Sequence, residues 1–302
     1  MTDALPTTRC GFVALIGAPN AGKSTLLNAL VGSKISIVTP KAQTTRSRIT
    51  GICMHGQSQL VLVDVPGVFA AQKRFEKAMV DCAWSSASEA DAVLFLYDVK
   101  RKPDAETEAA LERLKSIHKP LYLALNKVDV LADKAKLLAL VAWFQARATF
   151  ADVFMISALK RDGLTVLLDK VSAALPQSPF LFPEESMTEI PMRFLAAELT
   201  REQCFLRLSE EIPYTLAVET ESYEERRDGS IEIRQIIVVQ NERQKIIVIG
   251  NGGAQLKAIG MAARQEIARV FGHPCHLFLF VKVREDWKEQ PAMYAMLGLK
   301  HG

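Results

Sequence analysis

The chain has 302 residues, with 37 Lys and Arg against 34 Asp and Glu, and 49% of its residues are hydrophobic. This length and composition fit a globular protein of one to three domains. No apolar run approaches the roughly 20 residues of a membrane span, and the N-terminus lacks a secretory signal pattern. The five scattered cysteines form no Cys-x-x-Cys pair, as expected of a protein from a reducing cytoplasm.

Short β-branched runs alternate with helical patterns through residues 9–177. The predicted strands are Phe12–Ile16, Leu60–Asp64, Ala92–Tyr97, Pro120–Asn126 and Val153–Ile156, and the predicted helices are 72–88, 104–116, 134–148 and 163–174. This alternation predicts an α/β domain, a mostly parallel sheet with helices on both faces. Ligands of such sheets bind at the carboxyl ends of the strands.

Four prolines between residues 176 and 191 interrupt this pattern, and we interpret 178–190 as a linker. The remaining residues, 191–302, predict a smaller α+β domain. Its elements are a helix over 191–208, strands Tyr214–Tyr223 and Ser230–Val239 around a turn at Asp228-Gly229, a helix over 254–271 and a strand His276–Val283. Residues 241–302 hold 9 Lys and Arg against 5 Asp and Glu, which fits either a nucleic-acid footprint or a solvated face.

A glycine loop, Gly17–Ser24, joins the first predicted strand to a helical segment. This is the context of a P-loop, in which backbone N–H groups surround phosphate oxygens at a helix N-terminus. The Lys reaches the β- and γ-phosphates, and the Ser ligates Mg²⁺. We therefore expect an α/β P-loop NTPase domain with phosphate-binding residues Gly17, Asn20, Ala21, Gly22, Lys23, Ser24 and Thr25.

A second motif, Asp-x-Pro-Gly, closes the strand that ends at Asp64. The carboxylate can hold the Mg²⁺ hydration shell, and the Gly67 N–H can reach the γ-phosphate. A loop threonine between the two motifs would complete the Mg²⁺ coordination, with Thr45 preferred to Thr44. The same loop could instead be a polar surface segment, with basic residues that contact RNA. The predicted metal ligands are Ser24, Thr45 and Asp64; the predicted catalytic residues are Lys23, Thr45 and Gly67; Pro66 and Gly67 also line the nucleotide.

A third motif, Asn-Lys-x-Asp, closes the strand that ends at Asn126. The Asp129 carboxylate can accept from guanine N1–H and the exocyclic amine, whereas adenine would leave it unpaired. Asn126 can brace the P-loop, and Lys127 can cover the purine face. The run Ser157, Ala158 and Leu159 follows the next strand and can offer a backbone N–H to the guanine carbonyl. Together these residues predict GTP and GDP as ligands.

A second glycine loop, Gly250-Asn251-Gly252-Gly253, joins two helical segments of the C-terminal domain. Gly-x-x-Gly between helices is typical of a K-homology (KH) domain, where the loop clamps single-stranded RNA. The residues between the outer glycines are neutral, so neighbouring cations and backbone N–H groups would attract the phosphates. The predicted RNA-binding residues are Lys245, Gly250, Asn251, Gly252, Gly253 and Lys257.

The ordered motifs, together with a Gln-Thr-Thr-Arg run at 43–46, resemble the Era GTPase family over nearly the whole chain. The resemblance implies a GTPase with a type II KH domain that binds 16S ribosomal RNA near its 3′ end. It implies a role in maturation of the small ribosomal subunit, with the nucleotide state switching RNA binding. Peripheral attachment to the cell membrane is also associated with the family, so the alternative is a membrane-linked regulatory GTPase of growth or the cell cycle.

Val68 stands where Ras-like proteins carry a water-orienting glutamine, so we expect slow hydrolysis. Backbone groups, a partner or a monovalent cation would then position the water. Asn20 occupies the position associated with K⁺ coordination in related GTPases, although it could equally hold the loop in place. A binding module with negligible turnover is a further alternative. No heptad pattern indicates obligate assembly, so we expect a monomer.

Overall fold

A computed structural model describes residues 7–41, 43–133, 135–209 and 211–300. Ala42, in the predicted threonine loop, and Lys134, at a predicted helix start, lie outside these residues. The chain divides into two compact units. The first comprises residues 1–36, 45–189 and 297–302, and the second comprises 37–44 and 190–296.

The first unit is built on a six-stranded sheet whose order is β2-β3-β1-β4-β5-β6. Only β2 is antiparallel to its neighbour, and the other strands run parallel. The strands are β1 Arg9–Ile16, β2 Ile49–His55, β3 Ser58–Asp64, β4 Ala92–Asp98, β5 Leu121–Asn126 and β6 Asp152–Ile156. The helices are α1 Lys23–Val31, α2 Arg74–Glu89, α3 Ala105–Lys115, α4 Ala135–Gln145 and α5 Leu164–Ala174. The predicted α/β P-loop fold is confirmed.

The sequence analysis missed strand β2, which pairs with β3 at the edge of the sheet. Its central Gly51 weakens the strand pattern, because glycine has low strand propensity. A Cβ at this glycine would lie 2.6–2.8 Å from the side chains of Ile35, Leu27 and Val31. The glycine is therefore needed for close packing of β2 against α1 and the residues that follow it.

Strands β4 and β5 are buried along their whole lengths, as expected for central parallel strands covered on both faces. Their side chains form a core with α2, α3 and α4. Phe144 of α4 is fully buried there, with edge-to-face contacts to Tyr97 and Trp143 at centroid distances of 4.8 Å and 5.0 Å. This rigid centre carries the strand ends at which the sequence motifs lie.

The segment predicted as a linker is packed in the first unit through residue 189. The buried side chain of Gln59 accepts hydrogen bonds from the backbone N–H groups of Leu181 and Phe182, at 2.9 Å and 3.0 Å. Thr188 forms a β-bridge with Gly51. The prolines exclude regular structure there, but side-chain partners satisfy the backbone groups instead.

The second unit contains a three-stranded sheet of order β7-β8-β9, in which β8 is antiparallel to β7 and parallel to β9. Its elements are α6 Met192–Arg207, α7 Ile212–Thr215, β7 Ala217–Glu225, β8 Ile231–Val239, α8 Glu242–Ile249, α9 Ala254–Phe271, β9 Cys275–Val283 and α10 Pro291–Met296. This order matches the KH arrangement expected from the sequence. The prediction of a strand from residue 214 was wrong at its start, because Pro213 lies within the helical turn α7.

Within the described residues, no single helix is both long and apolar enough to cross a membrane. Glu242–Ile249 and Asn251–Phe271 meet the requirements of length and composition only as a pair, bent by 44°.

Candidate nucleotide site and RNA-binding loop

The P-loop has a backbone that only certain residues can adopt. Gly22 has a φ of 99°, and a Cβ there would lie 2.3 Å from the Asn126 amide nitrogen. A Cβ at Gly17 would lie 2.3 Å from the Leu96 carbonyl oxygen. Asn20 is left-handed, with a φ of 62°, and is exposed at the loop tip. Asparagine tolerates this conformation better than most side chains, so the loop shape follows from the motif.

Lys23 begins α1 and is buried at 5% exposure. Its ammonium donates to the carbonyl oxygens of Gly17 and Ala18, at 3.0 Å and 3.1 Å. Burial lowers the pKa of Lys23 to about 8, although the nearby Asp64 carboxylate acts in the opposite direction. The side chain is thus held inside the phosphate loop, where phosphate oxygens could replace the two carbonyls.

The three predicted metal ligands lie together at the end of β3. Ser24 donates to Asp64 Oδ2 at 2.6 Å, and its hydroxyl lies 2.9 Å from the Thr45 hydroxyl. Thr45 reaches the same carboxylate oxygen at 3.5 Å. Ser36, which the sequence analysis did not select, donates to it at 2.9 Å. Burial raises the pKa of the Asp64 carboxyl, against the opposing effects of Lys23 and the hydroxyl donors.

This cluster fits a small divalent cation. Asp64 is fully buried, and its Oδ1 has no hydrogen-bond partner among the described residues. A buried carboxylate oxygen without a partner is costly, and a cation or its hydration water would satisfy it. Hydroxyl and carboxylate oxygens are the ligands that Mg²⁺ prefers. Nothing in the sequence singled out Ser36, because an isolated serine after a helix is common.

The Asp-x-Pro-Gly loop lies directly against the P-loop. A Cβ at Gly67 would lie 2.6 Å from the Pro19 nitrogen, so only glycine permits this approach. The Val68 N–H donates to the Gly17 carbonyl at 3.1 Å, and the Val68 side chain is buried in the core. Its side chain therefore offers no group that could orient water.

Asn126 links three parts of the site. Its amide nitrogen donates to the Ala21 carbonyl at 2.8 Å, which is the P-loop contact expected from the sequence. Its Oδ1 accepts from the N–H groups of Lys127 and Ala158, at 2.8 Å and 3.0 Å. The Ala158 N–H is thus already engaged, so Leu159 is the better donor of that run for a guanine carbonyl.

Lys127 has a left-handed φ of 68° and a dual role that the sequence did not indicate. Its ammonium donates to Asp98 Oδ2 at 2.6 Å and to the Asn20 carbonyl at 2.7 Å. The side chain is therefore stretched between β4 and the P-loop, and its aliphatic part remains available to a purine. Asp129 is exposed in the 3₁₀ turn Val128–Val130.

The second glycine loop has the conformation of a sharp helix–helix joint. Gly250, Gly252 and Gly253 have φ values of 73°, 57° and 80°, which L side chains rarely adopt. A Cβ at Gly250 would lie 2.6 Å from Gln255 Cβ, whereas Gly252 and Gly253 have open space. Asn251 is exposed beside them, so the loop presents backbone to solvent.

Lys245 and Lys257 lie on the helices that flank this loop, α8 and α9. Lys257 is exposed, and Lys245 pairs with Glu242 at 3.4 Å. Surface pairs of this kind contribute little, so the Lys245 ammonium can exchange its partner for a phosphate at small cost.

The second unit also contains residues 37–44, immediately before Thr45. The Val38 N–H donates to Glu202 Oε1 at 2.9 Å, and the Arg201 guanidinium donates to the Thr44 carbonyl at 2.6 Å. Ile37 packs among Leu195, Leu199 and Ile267. Sequence reasoning missed this, because the partners on α6 are more than 150 residues away along the chain.

The parallel sheet carries a P-loop, the Asp-x-Pro-Gly loop and the Asn-Lys-x-Asp motif, and a KH fold follows it. Together these features define a P-loop GTPase with an appended KH domain. Residues 12–127 match the family described as 50S ribosome-binding GTPase, and residues 211–288 match the KH domain family. GTPase Era of Afipia carboxidovorans is 50% identical over 99% of both chains. The chain belongs to the GTPase Era family, and it is a GTPase.

Three other matches agree with this assignment. GTPase Era of Bradyrhizobium sp. strain ORS 278 is 52% identical, over 97% of this chain and 95% of that protein. A crystal structure of a variant of Aquifex aeolicus Era bound to GDP and aluminium fluoride has a TM-score of 0.91 at 35% identity, with 96% of this chain and 99% of that chain covered. A structure of Era with MgGDPNP and nucleotides 1506–1542 of 16S ribosomal RNA gives the same TM-score, identity and coverage.

Proposed function

We propose that this GTPase binds the 3′ region of 16S ribosomal RNA through its KH loop and acts in maturation of the small ribosomal subunit. The nucleotide state would set its RNA affinity. The observation that carries the switch is the division of the chain at residues 44 and 45. Thr44 is held within the second unit by Arg201, whereas Thr45 contacts Ser24 and Asp64 in the first.

Because residues 44 and 45 are adjacent in the chain, a change at Thr45 on nucleotide binding would act directly on a segment of the RNA-binding unit. If Thr45 has different contacts with and without the γ-phosphate, Thr44 must either move with it or hold it back. Resistance is supplied by two hydrogen bonds between the backbone of this segment and side chains of α6, and by the burial of Ile37. A switch needs such differential contacts in its two states, and not distance alone.

The RNA part of the proposal is supported by the geometry of the Gly-x-x-Gly loop and by the related Era structure that contains 16S nucleotides. The family described as 50S ribosome-binding GTPase names the other subunit. We favour the small subunit because the structure with 16S RNA covers 96% of this chain, whereas that family match covers only residues 12–127.

The residue roles follow from the contacts already described. Gly17, Asn20, Ala21, Gly22, Lys23, Ser24 and Thr25 would bind the phosphates; Asn126, Lys127, Asp129, Ser157, Ala158 and Leu159 would form the guanine side; Pro66 and Gly67 would lie at the γ-phosphate. Ser24, Thr45 and Asp64 would hold Mg²⁺, which supplies charge neutralisation of the phosphates. Lys23 would stabilise the charge that develops during hydrolysis, and Gly67 would donate its N–H there.

The test measures binding of a fluorescent RNA with the sequence of the 16S 3′ region to the full chain. Titrations are run with GDP, with GDPNP and without nucleotide, each at two salt concentrations. We expect affinity for this RNA to differ several-fold between GDPNP and GDP, and to exceed affinity for a scrambled RNA of equal length. Equal affinity in both nucleotide states would overturn the switch, and equal affinity for the scrambled RNA would overturn the 16S assignment.

A further inference from the structure

Ser36 is fixed by the helix that follows the P-loop. Asn28 of α1 accepts from the N–H groups of Ile35 and Ser36, at 2.9 Å and 3.0 Å. Its amide nitrogen donates to the Ser36 carbonyl at 2.7 Å. One side chain thus satisfies both backbone groups of Ser36, which leaves this residue little freedom to turn.

The Ser36 hydroxyl is directed at the carboxylate of the candidate metal site. It is 3% exposed and donates to Asp64 Oδ2 at 2.9 Å. The other two hydroxyls on this oxygen belong to Ser24 and Thr45, both of which are candidate metal ligands. Ser36 is therefore the donor to Asp64 that does not itself belong to the proposed ligand set.

We propose that Ser36 is a positioning residue for Asp64, which holds the carboxylate with Oδ2 fixed and Oδ1 unpartnered so that it can receive Mg²⁺ or its hydration water. Carboxylates that serve metals are commonly oriented by a hydrogen bond from outside the ligand set. Three groups on one oxygen and none on the other give the carboxylate a defined rotation. This inference rests on the proposed magnesium-dependent nucleotide site.

The test measures release of a fluorescent GDP analogue from the full chain as a function of free Mg²⁺, and again in excess EDTA. The variants are Ser36→Ala, Ser36→Thr and Ser86→Ala. Ser86 is the matched control, because it is also 3% exposed and loses one hydroxyl hydrogen bond, to the Cys82 carbonyl at 2.8 Å. Since release in EDTA does not involve the cation, it reports the protein's own contacts with the nucleotide.

We expect Ser36→Ala to need about tenfold more Mg²⁺ for half-maximal slowing of release, with an unchanged rate in EDTA. Ser36→Thr keeps the hydroxyl and should stay close to wild type, as should the Ser86 control. An unchanged Mg²⁺ midpoint in Ser36→Ala would overturn the inference. So would a threonine variant that behaves like the alanine variant, since the effect would then come from packing. If wild-type release did not respond to Mg²⁺, the proposed metal site itself would fail.

Discussion

The Arg201 guanidinium donates to the Thr44 carbonyl at 2.6 Å, one residue before the threonine that contacts Ser24. The same guanidinium is paired with Glu198, and both side chains are buried. A buried arginine with two sets of acceptors is a rigid fork, so it fixes the backbone at residue 44 relative to α6.

Arg201→Lys should weaken the coupling between nucleotide and RNA. Lysine keeps the positive charge beside Glu198, but a single ammonium cannot reproduce the fork that also reaches Thr44. A hydrogen bond from a charged donor is worth about 1.5–3 kcal/mol, which exceeds a several-fold affinity difference, so the RNA affinity ratio between GDPNP and GDP should fall towards one. GTP binding, measured by fluorescence, should be unchanged.

Arg193→Lys is the matched control for this experiment. Arg193 lies on the same helix and donates to the Thr220 carbonyl at 2.7 Å, but its contact does not involve residues 37–44. It should retain the wild-type ratio. If Arg201→Lys kept the wild-type ratio of RNA affinities, the Thr44 contact would not be part of the switch.

Asp129→Asn should move the nucleotide preference from guanine to xanthine. Guanine donates two hydrogen bonds to the Asp129 carboxylate, and the amide of asparagine cannot accept both. Xanthine has a carbonyl that can accept from this amide. GTP affinity should fall by at least about a hundredfold, because hydrogen bonds to charged groups are strong. Competition binding with GTP and XTP measures both. Asp133→Asn, a nearby acidic residue that accepts from the Ala135 N–H, is the control and should not change preference.

How much the sequence could predict depended on whether a residue acts locally. Lys23 and Gly250 lie in short motifs whose conformations are set by neighbours, so their positions followed from spacing. The contact of Asn126 with the P-loop spans 105 residues and was predicted only because both partners belong to ordered motifs. The contacts of Arg201 and Ser36 depend on partners brought together only by the folded chain, at separations of 157 and 28 residues. Strand β2 was missed for a related reason, since Gly51 is chosen by packing against α1 and not by strand propensity.

Gly253→Asp should abolish RNA binding and leave GTP binding intact. The carboxylate would repel the RNA phosphates at the loop, and the position has open space, so the fold is disturbed only by its left-handed φ of 80°. Gly250→Asp is less informative, because its Cβ would clash with Gln255. The control is Gly229→Asp in the β7–β8 turn, with a φ of 79° and open space. If Gly253→Asp retained RNA affinity, the clamp assignment would fail.

Turnover of GTP should be slow and should be faster in K⁺ than in Na⁺. The buried Val68 cannot orient water, so an additional positive charge near the phosphates would supply part of the missing stabilisation. Asn20 is exposed at the P-loop tip, at a left-handed φ of 62°. Asn20→Gly keeps the left-handed backbone and removes the side-chain oxygen, so it should lose the K⁺ effect and retain GDP binding. Phosphate release under single-turnover conditions measures this, and equal rates in the two salts would exclude the cation.

Nucleotide binding should take up protons near pH 8. Without nucleotide, burial holds the pKa of Lys23 at about 8, below its usual 10.5. Phosphates favour the charged ammonium and raise the pKa again, so affinity is fully present below pH 8 and declines as the pH rises through it. GDP binding should take up more protons at pH 8 than at pH 7, because less of the Lys23 side chain is already protonated at the higher pH. Calorimetry in buffers of different ionisation enthalpy measures this uptake. Lys23→Arg, which does not titrate there, should show none.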